Sequence, residues 1–164
     1  MSTATSLVVR TSLQEVKTPS GADAGAPGTP FTSGNPAGDT YNASSGVPVS
    51  YASKFTITLS SGAATLDLTA IPDDENGTFD ATGLKLNFLR LEVPIGDANK
   101  VLASQGASNA YRLDGATNWS IPLAPGQKVQ LEGDAAGDAV ASGHKTIDFA
   151  GTGAQTISVH IGLG

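Results

Sequence analysis

From Tyr51 to Ala70 the chain reads YASKFTITLSSGAATLDLTA, and this stretch decides the fold. Phe55, Ile57 and Leu59 fall on one side of an extended backbone, with Lys54, Thr56 and Thr58 on the other. Ser60-Ser61-Gly62 interrupts the run. Ala64, Leu66, Leu68 and Ala70 then resume it, opposite Thr65, Asp67 and Thr69. A period of two marks half-buried β-strands, because side chains alternate across a pleated backbone. The short polar connection between the two runs predicts a hairpin.

The same period continues toward the C-terminus. Pro72-Asp73-Asp74-Glu75-Asn76-Gly77 is an acidic turn in which Asn76-Gly77 readily supplies positive φ. Leu84, Leu86 and Phe88 share one face, whereas Leu89, Leu91 and Val93 share the other. The phase therefore slips between Phe88 and Leu89, which predicts a β-bulge or a strand that passes from one sheet to another. Val101-Leu102 opens a short strand, a polar turn runs from Gln105 to Asn109, and Tyr111 and Leu113 continue one face. Trp119, Ile121 and Leu123 alternate around Pro122, whose missing N–H marks an edge strand or a strand end. Val129 with Leu131, Ile147 with Phe149, and Ile157, Val159, Ile161 and Leu163 make the last strands. About eight or nine short antiparallel strands, with no amphipathic helical stretch, predict an all-β domain of the β-sandwich or jelly-roll kind.

In the other direction the composition changes near Ser50. Between Pro19 and Ser50 lie six of the 20 glycines and five of the nine prolines. The large apolar residues there are Phe31, Tyr41, Val47 and Val49. Such a stretch buries too little to offset its ordering entropy, so it is expected to be mobile alone, either a disordered tether or an arm that orders on a partner. Nearer the start, Ser6 to Val16 carries the apolar run Leu7, Val8 and Val9. It reads as one strand, in this chain or added to the sheet edge of another subunit. The expected organisation is an extended Gly/Pro-rich arm at residues 1–50 and a sandwich at 51–164. Leu7, Val8, Val9, Phe31 and Tyr41 are the candidate partner-binding residues of the arm.

The bulk composition narrows the function. At 164 residues there is room for one domain. Charged residues are 15%, below the ~25% common in globular domains, so the surface must be largely Ser, Thr, Asn, Gly and Ala. That surface suits a protein partly covered by neighbours. Fifteen acidic against nine basic residues give a net charge of −6, with no basic cluster to replace phosphate counterions. Nucleic acid and polybasic membrane contact are both disfavoured. Cysteine is absent, which removes disulfides, thiolate metal sites and Cys nucleophiles. No run approaches the ~20 apolar residues of a membrane span. Met1 to Arg10 lacks the basic and apolar regions of a signal peptide, so cytoplasmic synthesis without processing is expected.

Nothing in the sequence assembles a catalytic, cofactor or metal site. His144 lies beside a glycine and His160 on the polar face of the last strand, neither with a second imidazole or a carboxylate at metal-ligand spacing. Both read as surface histidines. Gly106-Ala107-Ser108-Asn109-Ala110 resembles a nucleophile elbow only loosely, since alanine closes it. The acidic sets Asp73, Asp74, Glu75 and Glu132, Asp134, Asp138 lack the spaced oxygen ligands of a Ca²⁺ loop and read as solvated turns. Gly151-Thr152-Gly153-Ala154 precedes no helix and so makes no phosphate loop. Trp119 and Tyr111 form a possible sugar-stacking platform, although core residues beside an edge strand account for them more simply.

Four segments occur in a familiar order: Asp80-Ala81-Thr82-Gly83-Leu84-Lys85-Leu86, Gly106-Ala107-Ser108-Asn109-Ala110-Tyr111, Leu123-Ala124-Pro125-Gly126-Gln127, and Lys145 through Gln155. In them the chain resembles small β-rich proteins encoded among the virion structural genes of tailed bacteriophages and related prophage-like clusters. The resemblance spans roughly Ser60 to Gly164, stops short of the arm and carries no catalytic residues. It implies a virion component made in the host bacterial cytoplasm. Within that class, the arm and the acidic β-domain favour a capsid decoration (cement) protein on the capsid surface, bound to the major capsid protein or other virion proteins. A homo-oligomer is expected, and a trimer would match the three-fold positions of a capsid lattice. The alternatives are a tail or neck adaptor or fibre-base component, and a carbohydrate-binding β-sandwich module.

Overall fold

A computed structural model describes residues 7–10, 38–41, 48–73, 77–115, 118–132 and 137–164. These fall in two compact units, one within Val8–Thr40 and one containing Tyr41–Gly164. In the N-terminal region, β1 (Leu7–Arg10) and β2 (Gly38–Tyr41) pair as a two-stranded sheet. The sequence suggested one short strand in this region. The second, GDTY, carries a glycine, an aspartate and a single aromatic, and so has no alternation to betray it.

The larger unit is all-β. Its strands are β3 (Tyr51–Thr58), β4 (Ala63–Asp67), β5 (Ile71–Asp73), β6 (Gly77–Phe79), β7 (Leu86–Glu92), β8 (Val101–Gln105), β9 (Ser120–Leu123), β10 (Lys128–Glu132), β11 (Thr146–Ala150) and β12 (Thr156–Leu163). Two four-stranded sheets run β10-β7-β12-β3 and β4-β11-β8-β9, and β5-β6 is a separate two-stranded hairpin. Every registered pair is antiparallel. The pairs nest: β3 with β12, β4 with β11, β7 with β10, and β8 with β9. The chain thus behaves as one long hairpin, rolled so that β12 also meets β7 and β11 also meets β8.

One apolar cluster joins the sheets. Leu86, Leu89, Leu91, Ile157, Val159, Ile161 and Leu163 come from the first, and Leu66, Val101, Ala103, Leu123, Ile147 and Phe149 from the second. This is a sandwich whose alternating inner faces share one core. Ile71 of β5 joins it fully buried, and Phe79 of β6 packs against it while stacking on Tyr51 at 3.6 Å between ring centroids.

Two expectations need correction. β3 and β4 are not a hairpin. Ser60 and Ala63 exchange backbone hydrogen bonds (2.9 and 3.1 Å) around Ser61 and Gly62, both at positive φ, and the strands then part into different sheets. Gly62 instead binds the neighbouring corner, donating to Gly153 O and accepting from Gly151 N. A Cβ at Gly62 would lie 2.7 Å from Gly151 O, so the two corners touch only because side chains are missing. Period-two alternation does not separate a hairpin from a corner, because both strands face the same core in either case.

The predicted slip in β7 is a bulge, displaced from its expected place. Leu163 pairs with Leu86 and Gly162 with Phe88, which leaves Asn87 as the extra residue. Leu86 and Leu89 both reach the core, and Phe88 points to the other side with Arg90 and Glu92. Phe88 is 4% exposed outside the main cluster, so an apolar residue on the outer face misled the phase reading. The bulge also buries Asn87, whose Nδ2 donates to Pro48 O (2.6 Å) and Gly164 O (3.4 Å). Its amide ties the domain's entry to its exit. Pro122 lies in β9, which is indeed an edge strand.

Candidate interaction surfaces

The densest polar construction closes the end of the sandwich where β8 stops and β11 begins. Tyr111 is fully buried there. Its hydroxyl donates to Asp138 O (2.8 Å) and accepts from Leu86 N (2.9 Å), while its carbonyl accepts from Trp119 Nε1 (2.9 Å). The phenol therefore ties β7 to the loop before β11, and the carbonyl of the same residue adds the loop before β9. Tyr111 is wholly interior, so it forms no sugar-stacking platform with Trp119.

Next to it stand Arg112, Asp138 and His144. Arg112 Nε lies 3.4 Å and His144 Nδ1 3.5 Å from Asp138 Oδ2, and Arg112 Nη2 lies 3.4 Å from His144 Nε2. Neither Asp138 Oδ2 nor His144 Nδ1 has a hydrogen-bond partner, so Arg112 meets the carboxylate through charge alone. The fold thus supplies His144 with a carboxylate six residues away that sequence spacing did not reveal. The arrangement is not that of a catalytic dyad. A base must turn its free imidazole nitrogen to a nucleophile, and here a guanidinium occupies that side. Ser108 is held instead through its carbonyl, which accepts from Thr146 Oγ1. Among the described residues no group of three or more His, Cys, Asp or Glu is placed to hold a metal ion.

Asp67 and Lys145 pair beside this end at 2.7 Å. Burial alone would raise the Asp67 carboxyl, but the Lys145 ammonium and the Thr69 hydroxyl and N–H outweigh it and hold it below the usual range. Asp148 joins a strand to a loop, accepting from Thr65 Oγ1 (2.6 Å) and Ala107 N (2.7 Å). Of the acidic sets, Asp73 lies in β5, Glu132 ends β10 and Asp138 binds as above. Asp74, Glu75 and Asp134 fall outside the described residues.

The outer face of the first sheet is the principal charged surface. Across the strands, Gln130, Arg90, His160 and Lys54 form one row, and Lys128, Glu92, Ser158 and Thr56 the next. Glu92 takes Lys128 at 3.0 Å and Arg90 at 3.4 Å, and its carboxyl is lowered chiefly by the Lys128 hydrogen bond. His160 is lowered first by burial and then by the Lys54 and Arg90 charges.

The candidate partner-binding residues divide by position. Leu7, Val8 and Val9 lie in β1 and Tyr41 in β2, whereas Phe31 falls outside the described residues. Sequence reasoning missed Ile95, which is 88% exposed in the turn after β7. A lone apolar residue in a Pro-Ile-Gly turn gives no periodic signal. No protein-family model matches this chain, and no curated protein sequence does either.

Proposed function

We propose that this chain is a non-enzymatic structural protein of a tailed-phage virion that decorates the capsid lattice. What carries the reading is the resemblance of the four ordered segments to small β-rich virion proteins. The segments lie where the roll is made: ahead of β7, in the loop after β8, in the turn from β9 to β10, and along β11 into its corner. The nested pairing of strands supports a jelly-roll reading, an architecture that recurs in viral capsid and lectin domains. At the closed end the Tyr111 hydroxyl and the Arg112–Asp138 pair hold loops together. The partner is the major capsid protein, contacted through the N-terminal segment that carries Leu7, Val8, Val9, Phe31 and Tyr41. Many weak copies on a repeating lattice gain strength through effective concentration.

Copy number in purified particles tests this. A decoration protein is present on the order of hundreds of copies, because the lattice repeats its binding position. Roughly a dozen copies or fewer would place the chain at a neck or tail ring and overturn the capsid reading.

A further inference from the structure

Four strand edges bound the two sheets, and they are not alike. β9 is short and carries Pro122, β4 has five residues, and β10 is flanked by the charges of Lys128 and Glu132. Proline, brevity and charge are the usual means by which proteins keep edges from pairing with other chains. β3 has eight residues, no proline, no bulge and one charge, Lys54; among the described residues its one ladder partner is β12, and β5 touches it where Ser53 Oγ donates to Pro72 O at 3.1 Å. Leu59 N donates to Gln155 O, which sets the ladder so that the odd-numbered residues turn their backbone groups to β12. Lys54, Thr56 and Thr58 turn theirs outward. All three are exposed, and Phe55 and Ile57 between them are only partly buried at the rim of the core.

We infer that this edge pairs with the same edge of a second copy of the chain, antiparallel about a two-fold axis at Thr56. The segment is self-complementary in that register. Thr56 meets Thr56 of the second copy, and Lys54 meets Thr58, so no like charges oppose each other. On the inner side Phe55 meets Ile57, and two half-covered apolar side chains cover one another. The contact is isologous and closes at two copies rather than growing into a fibre. It leaves the capsid reading untouched and stands independently of it, but it replaces the expected three-fold self-association with a two-fold one.

Sedimentation of the full chain tests the inference between about 10 µM and about 1 mM, the range suited to a small interface. The average mass should rise toward that of a dimer. Thr56→Lys and Thr56→Glu should each stay monomeric, because each sets like charges face to face, and their equimolar mixture should dimerise again. Thr58→Asp, which faces Lys54 of the second copy, should tighten the dimer several-fold. Thr56 is exposed, so the unfolding temperatures should stay within about 2 °C of the parent. A parent that remains monomeric throughout, variants that assemble as well as the parent, or a mixture that stays monomeric would each overturn it. A stable trimer insensitive to Thr56 would do the same.

Discussion

At the scale of single residues, a few buried polar side chains hold the ends of the sandwich. Asn87→Ala strips Pro48 O of its side-chain donor and is expected to cost about 1–3 kcal/mol in chemical denaturation. Tyr111→Phe leaves Leu86 N–H and Asp138 C=O without the hydroxyl and should cost about 2–4 kcal/mol by the same measurement. Unchanged stability in either variant would contradict the role given to that side chain. His160 makes a prediction with a sign. Its folded pKa is lowered, so the unfolded chain binds the proton first as pH falls past about 6.5. Stability therefore declines from that pH down to the folded pKa and levels off below it. His160→Gln should flatten that slope below about pH 6.5, read from denaturation midpoints. The same slope in the variant would show that the titration lies elsewhere.

At the scale of elements, the long strands were legible, whereas β2, β5, β6 and the strand partners were not. Alternation in β3, β11 and β12 reports burial on one face, and that property survives whichever strand lies alongside. Partnership depends on contacts about a hundred residues apart, such as Thr58 with Thr156, which no local pattern encodes. The corner at Ser60–Ala63 therefore looked like a hairpin, and an outward phenylalanine moved the bulge by one residue. The polar site was less legible still. Tyr111, Asp138 and His144 are joined by loops whose course depends on the roll, and Asn87 sits where only a bulge turns an amide toward both Pro48 and Gly164. The Asp67–Lys145 pair links the end of β4 to the start of β11. Its depressed carboxyl contributes stability above the ordinary pKa near 3.9, and loses it as pH falls through the lower folded value. Lys145→Met should remove about 0.5–1 kcal/mol at neutral pH and soften the acid limb of the stability curve, since both partners are partly exposed.

At the scale of the whole molecule, the contacts that hold the sandwich begin before Tyr51. Val49 is fully buried, Ser50 N donates to Leu163 O at 2.7 Å, and Pro48 O receives Asn87. A chain beginning at Val47 keeps these contacts, while one beginning at Tyr51 loses them and should be less stable by roughly 3–5 kcal/mol. That difference matters for the functional account, which assigns folding to the sandwich and attachment to the preceding residues. The most direct measurement is occupancy on undecorated capsids, comparing the full chain with a chain that starts at Val47, after cooperative unfolding of the shorter chain has been verified. Attachment through the N-terminal residues gives saturating decoration by the full chain and none by the shorter one. Full occupancy by the shorter chain would contradict it and move the attachment surface onto the sandwich itself.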